Sequence, residues 1–420
     1  MVTSVTFFPS LSARQVAAEP VITLKNRYAE QNPRLNDTPV SLISRPRLKK
    51  FAEVGPGHIR KVFSTPGVFA DELFVVSGTD LYRGGYDGAF DLIGTISTSI
   101  TGDVSMCAVA PIGTTPAFLY IAEGGVLWVY TENGQASGHL DIAGTIANND
   151  TVEIDGVYYK WVSTSVDAGT PAGTVGSPWL VAKGTNNGEA MTNLYNAINL
   201  TGVAGTDYST GTVQHTSMFA GSVSATDLYV YAIEFGISGN GKSLTETSAN
   251  AAWTAATTAG GGADQIRQVM VPDDSGAISV AQINSYVIVV PTQTEEINGR
   301  FFWINPGETK IDPTDFATAE RSPDGINQVV VFGEMFWLMG QNTTEPWITT
   351  GDLTAPVERF KGVLYDRGAW AGTAVQIKDR LVTIDEDGGV WMIAGGAQRV
   401  SSPDIEEKIR RAIHKAALLT

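Results

Sequence analysis

The segment Gly236-Ile-Ser-Gly239-Asn-Gly241-Lys242-Ser243 has the spacing of a phosphate-binding loop. In such a loop backbone amides cradle the phosphates, while a lysine and a hydroxyl reach phosphate and Mg²⁺. An apolar strand, Asp227 to Phe235, precedes it, and Leu381-Val-Thr-Ile-Asp385-Glu386 offers an acidic strand to match. The surroundings argue for a glycine-rich turn instead. Leu244 to Trp253 lacks the apolar spacing of the helix a nucleotide site needs, and no alternating strand–helix series surrounds it. His58, His139, His215 and His414 are scattered, without a second ligand at metal spacing. No nucleophile-elbow context supports a hydrolytic triad. Glu295, Glu296, Glu320 and Asp324 are acids that paired-carboxylate glycan cleavage would draw on. Cys107, the single cysteine, lies in an apolar run and reads as a buried, inert thiol.

The elements around these residues repeat one pattern: an apolar strand, a tight polar turn, and a second strand carrying an aromatic. It occurs at Leu73 with Tyr82, Leu119 with Trp128, Tyr286 with Trp303, Phe336 with Trp347, and Leu381 with Trp391. The anchors Leu73, Leu119, Tyr286, Phe336 and Leu381 are 46, 167, 50 and 45 residues apart. A period of roughly 40–50 residues with several strands per unit is that of propeller blades. The long step becomes ordinary if about 115–120 residues are inserted after the second blade, given that period. The recurrent tryptophans 303, 337, 347, 370 and 391 then read as core or interblade packing rather than a sugar platform.

This predicts a mainly β fold, a propeller-like repeat of blades with an inserted small α+β domain and an extended N-terminal arm. Residues 1–60, with Pro20, Pro33, Pro39, Pro46 and Pro56, form the arm; 61–146 hold the first blades; 147–263 are the insert; 264–400 the remaining blades; 401–420 a terminal helix. Within the insert, Thr151 to Val162 is a hairpin turning at Asp155-Gly156, and Met191, Leu194, Tyr195 and Ile198 mark a helix from Glu189 to Leu200. Ser402-Pro403-Asp404 opens the last helix, whose apolar face is Ile405, Ile409, Ala412 and Ile413. The chain of 420 residues has a net charge of −16, against nonspecific duplex binding by the whole surface. Residues 1–61 are nevertheless net basic, and Arg45, Arg47, Lys49 and Lys50 are the candidate assembly contact. No run is long and apolar enough for a membrane helix, and Met1 to Phe8 lacks the features of an export signal, so a soluble protein is expected.

Phe316-Ala-Thr-Ala319-Glu320-Arg-Ser322-Pro323-Asp324-Gly325-Ile326 is followed by Phe336 to Gly340, Thr343-Thr-Glu345, Trp347 and Thr350-Gly351. With Ser401 to Ile409, Ser44 to Lys49, Leu81-Tyr82-Arg83 and Val104-Ser105-Met106, this order resembles the packaged-DNA stabilisation protein, or tail nozzle, of short-tailed bacteriophages. The resemblance covers about 1–145 and 264–415. It implies a non-enzymatic virion protein of the tail, six copies in a ring below the portal and adaptor. Such a ring extends the DNA channel, anchors tail fibres or spikes, and meets a needle or plug. Genomic DNA would pass through the lumen without sequence-specific binding. The resemblance brings no catalytic residues, cofactor or metal, and implies more strands beyond the terminal helix. The insert is similar to small domains that decorate phage structural proteins, with a Gly-x-x-Gly-Asn turn at Gly236 to Asn240. The alternative from another class is a glycan-cleaving tail enzyme on a propeller scaffold.

Overall fold

The computed structural model describes residues 27–31, 40–44, 50–319, 324–352, 355–361, 363, 365–393 and 396–417. A short hairpin comes first, β1 (Arg27–Gln31) against β2 (Val40–Ser44). Blade 1 follows as an antiparallel meander of β3 (Ile59–Phe63), β4 (Leu73–Ser77), β5 (Asp80–Gly84) and β6 (Phe90–Thr95). Blade 2 begins in the same way with β7 (Ser105–Val109), β8 (Phe118–Ala122) and β9 (Leu127–Thr131).

The chain then leaves the blade. Strands β10 (Gln135–Ile142), β11 (Thr151–Ile154), β12 (Val157–Val162) and β13 (Trp179–Ala182) lead into α1 (Asn187–Asn199). After it come β14 (Met218–Val223), β15 (Asp227–Phe235), β16 (Leu244–Glu246) and β17 (Ala251–Trp253). They form two four-stranded sheets, in the orders β14-β15-β10-β17 and β13-β12-β11-β16. Only then does β18 (Gln265–Val269) return to pair with β9, Thr131 opposite Gln265, and complete blade 2.

Blade 3 is β19 (Ala277–Ile283), β20 (Tyr286–Pro291), β21 (Arg300–Ile304) and β22 (Phe316–Thr318). Blade 4 is β23 (Ile326–Phe332), β24 (Met335–Gly340), β25 (Thr344–Thr349) and β26 (Val357–Arg359). Blade 5 is β27 (Val375–Ile377), β28 (Arg380–Ile384), β29 (Val390–Ile393) and β30 (Ala397–Arg399), and α2 (Pro403–Ala417) follows. The five blades make a β-propeller-like array. The repeated apolar strands of the sequence are the second and third strands of each blade.

The second strands of blades 2, 3 and 4 are apolar because both faces are covered by neighbouring blades, while blades 1 and 5 have a neighbour on one face. In β8, Leu119 and Ile121 pack towards Phe74 and Val76 of blade 1, while Phe118 and Tyr120 pack towards Val287, Val289 and Phe302 of blade 3. Blades 3 and 4 share Ile288, Phe301, Phe336 and Leu338; blades 4 and 5 share Trp337, Met339, Leu381 and Ile393. Each such side chain contributes about 1.5–3 kcal/mol on full burial. Where first strands adjoin, side chains bridge backbones: Ser105 Oγ accepts from Val280 N (3.0 Å) and Ser279 Oγ from Val329 N (3.1 Å). Gln328 likewise meets the backbone of Ala374 twice.

The insert differs from the expected 147–263 in one respect with a physical cause. β10 pairs with β15 and β17, so it belongs to the insert and not to the blades ending at 146. The interruption therefore lies inside blade 2, between its third and fourth strands, rather than after it. The insert has its own core, including Leu140, Trp161, Leu194, Ile198 and Val230. Its hairpin turns at Asp155 (φ 45) and Gly156 (φ 83), the positive-φ pair that a two-residue turn requires. Asn186 caps α1 by accepting from Glu189 N at 3.0 Å. α2 differs from its expected packing: Ile405 and Ala412 are exposed and Ile409 is half-buried, while Glu406 is the buried anchor, pairing with Arg399 and accepting from Ser401. Trp303, Trp337 and Trp347 are buried between blades, whereas Trp370 is exposed and Trp391 lies half-buried beside Arg367.

Candidate assembly site

The phosphate-loop spacing folds into something else. Gly236–Gly239 is a 3-10 turn, and the following residues enter β16 rather than a helix. Lys242 Nζ bonds Asp155 Oδ2 at 3.2 Å, and Ser243 Oγ donates to Glu153 Oε1 at 2.5 Å. The amides of Gly236, Lys242 and Gly241 are spent on Gly134 O, Thr258 Oγ1 and Thr258 O. The groups that would cradle a phosphate are thus the fastening between β16 and the β11–β12 turn. Asp385, the matching acid, accepts from Gly389 N and Trp391 Nε1 within its own blade turn.

Glu295 and Glu296 are exposed in the turn between β20 and β21. Asp324 binds Asn342 N and Thr343, and Glu320 lies outside the described residues. Among the described residues, no group of three or more His, Cys, Asp or Glu is arranged to hold a metal. Cys107 is buried and burial pushes its thiol pKa well up, which suppresses the reactive thiolate. His139 bonds Asp227 at 2.9 Å and stacks on Tyr229 at 4.3 Å on the insert surface. His58 is exposed, and the His414 side chain lies outside the described set.

His215 is a structural tie of the insert. Its Nε2 meets Ile154 O at 2.8 Å, and Nδ1 accepts from Met218 N at 3.1 Å. Burial holds its pKa below 6.5. The folded ring therefore binds its proton less readily than the unfolded one. Its contribution to stability is complete above 6.5 and is lost as pH falls through the depressed folded value. His215→Gln is expected to flatten this acid limb in a plot of melting temperature against pH. An unchanged limb would assign the acid sensitivity to other groups.

Of the basic contact residues read from the sequence, Arg45, Arg47 and Lys49 lie outside the described residues. Lys50 pairs with exposed Glu53. Two arginines that composition did not single out define the junction of insert and blades. Arg83, on blade 1, pairs with Glu72 and Glu132 and approaches Asp264 at 3.8 Å. It also donates to Tyr130 Oη at 2.9 Å, and Tyr130 donates on to Asp264 at 2.9 Å. Glu132 and Asp264 are where the insert leaves and rejoins blade 2, so one guanidinium holds both stem chains. Burial opposes this charge, but Tyr130, Glu72 and Glu132 outweigh it and raise the Arg83 pKa. Arg267, on β18, lies beneath the insert against the stacked rings of Tyr231 and Phe219.

The two ends of the blade array present apolar side chains. By register, Ile59, Val62 and Leu92 lie on the face of blade 1 opposite its contact with blade 2. Val375 and Ile377 lie on β27 of blade 5. All five keep half or more of their surface exposed.

The described residues thus form a propeller-like array with an inserted unit braced on it. The chain belongs to the family described as Bacteriophage P22 Gp10, beta-propeller, whose model matches residues 186–417. It is a bacteriophage structural protein of the packaged-DNA stabilisation class. The match runs from α1 through blades 3 to 5 and α2, and so takes in part of the insert that the sequence resemblance left out. No curated protein matches the chain. Among solved structures, BBS1N in complex with ARL6DN has 10% identity over 81% of this chain and 80% of that one, with a TM-score of 0.27. The computationally designed Ika8 protein has 8% identity over 84% and 89%, with a TM-score of 0.25. Kluyveromyces lactis Hsv2 has 7% identity over 80% and 73%, with a TM-score of 0.21. TM-scores this low carry no functional argument.

Proposed function

We propose that this chain is the tail nozzle of a short-tailed phage, six copies of which close a ring below the portal–adaptor complex. The ring extends the DNA channel and helps retain the packaged genome. In this reading the basic arm, with Arg45, Arg47, Lys49 and Lys50, meets the portal–adaptor complex. Tail fibres or spikes and a needle or plug are further partners. The genome slides through the lumen without sequence-specific contacts, which the net charge of −16 favours. The protein acts by assembly and not by catalysis.

The observation that supports ring formation most directly is the pair of apolar end faces, on blades 1 and 5. Two different surfaces on one subunit suit a head-to-tail contact, which generates a ring when the rotation closes. Val62→Asp with Leu92→Asp is expected to give a folded monomer, because both side chains are exposed, and to abolish the oligomer in native mass spectrometry. An oligomer that survives both charges would remove this face from the interface. Cryo-electron microscopy of virions with an antibody against the chain tests the location. Density for six copies around the tail channel is expected, and absence from the particle would overturn the nozzle reading.

A further inference from the structure

We propose that Arg267 is an orientation lock that fixes the insert at one angle to the blades, making it a rigid bracket rather than a swinging flap. Arg267 stands on β18, the strand that closes blade 2, and only 5% of it is exposed. Its guanidinium lies 4.7 Å from the Tyr231 ring and 5.2 Å from Phe219, both on the insert. One nitrogen reaches Gln135 Oε1 of the insert at 3.3 Å and both the hydroxyl and carbonyl of Thr309 on blade 3. Three parts of the molecule thus meet on one charged group. Gly221 makes room for the stack: a Cβ there would lie 2.5 Å from the Tyr231 ring.

Among the described residues no carboxylate lies within ion-pair distance of Arg267. A buried cation without a counter-ion depends on the hydrogen bonds and ring contacts that it makes, here through Nη2 and the two rings. A small tilt of the insert would leave the charge buried and strip it of Gln135, Thr309 or the rings. Intermediate angles are therefore disfavoured. A wide opening would rehydrate the charge, but the stem opposes it. Gly134 N bonds Ala263 O, Gly262 N bonds Gly134 O, and Gln135 and Gln265 exchange two bonds. Arg83 clamps Glu132 beside this ladder and approaches Asp264. The closed angle is what remains. A buried polar group that specifies one arrangement at some cost in stability is a known use of such residues.

The test is a distance measurement by pulsed electron spin resonance on the full chain. Spin labels are placed on cysteines at exposed Val175 in the insert and exposed Glu296 in blade 3, with Cys107 replaced by alanine. The otherwise unaltered protein is expected to show a single narrow distance. Arg267→Met, which keeps the length and removes the charge and donors, is expected to lose that single distance while both units stay folded by circular dichroism. Thr309→Val, which removes only the hydroxyl, is expected to broaden the distribution in the same direction and serves if Arg267→Met fails to fold. A broad distribution before any change at Arg267, or an unchanged narrow one in the folded variants, would overturn the proposal.

Discussion

Removing residues 133–263 and joining Glu132 to Asp264 through Asn-Gly is expected to yield a folded propeller, whereas removing 147–263 is expected to yield an aggregating product. The first cut converts β9 and β18, already paired from Thr131–Gln265 to Leu127–Val269, into a hairpin with a short turn. The insert takes its core with it, since the cluster around Trp161, Leu194 and Val230 draws on residues 136–253. The second cut leaves β10 in place without β15 and β17, exposing Ala136, Leu140 and Ile142 beside an unpaired strand edge. The shorter chain also uncovers Phe118, which now rests against Phe235 at 5.3 Å, and Arg267, whose charge regains water. Circular dichroism, thermal melting and gel filtration of the two products decide the matter. A cooperative monomer from the 147–263 cut, or an unfolded chain from the 133–263 cut, would mean that the blades and the insert share a core.

Phe336→Ala is expected to destabilise the blade array by about 3–5 kcal/mol, the range for emptying a fully buried phenylalanine site. Phe336 is completely buried between blades 3 and 4. Its ring lies 5.8 Å from Phe301, edge to face, and 6.2 Å from Trp347. Phe301 and Trp347 also meet edge to face at 5.0 Å, so all three rings brace one another and the site cannot collapse cheaply. The insert, with a separate core, should keep its own transition. Scanning calorimetry would show the blade transition moved down and the insert transition in place. A loss under 1 kcal/mol, the range of volume-conserving core swaps, would show that neighbouring blades repack around the gap.

The most readable part of the fold was the pair of middle strands in each blade. Phe74, Leu119, Ile288, Phe336 and Leu381 are fully buried, or nearly so, each against a neighbouring blade, so burial alone makes them apolar. First and fourth strands are only partly covered. β27, β30 and β22 are three residues long, too short to show a pattern, and the repeat was visible without them. The hairpin at Asp155-Gly156 and the helix from Asn187 are local events, determined by turn chemistry and by periodicity within a dozen residues.

What sequence could not show was which strand pairs with which. β10 has the alternation of a strand, with Ala136, Leu140 and Ile142 on one face, and only its pairing to β15, some ninety residues on, makes it part of the insert. The completion of blade 2 by β18 is likewise a contact across the whole insert. Lys242 and Ser243 have the residue types of a phosphate site, and tertiary structure spends them on Asp155 and Glu153. The roles of Arg83 and Arg267 carry no local signal, because an arginine between stem carboxylates or against a pair of rings looks like any other in a strand. Local pattern reports how deeply a residue is buried. The partner it meets is decided by chain crossings over long sequence distances, and in this protein those crossings determine how the insert is held.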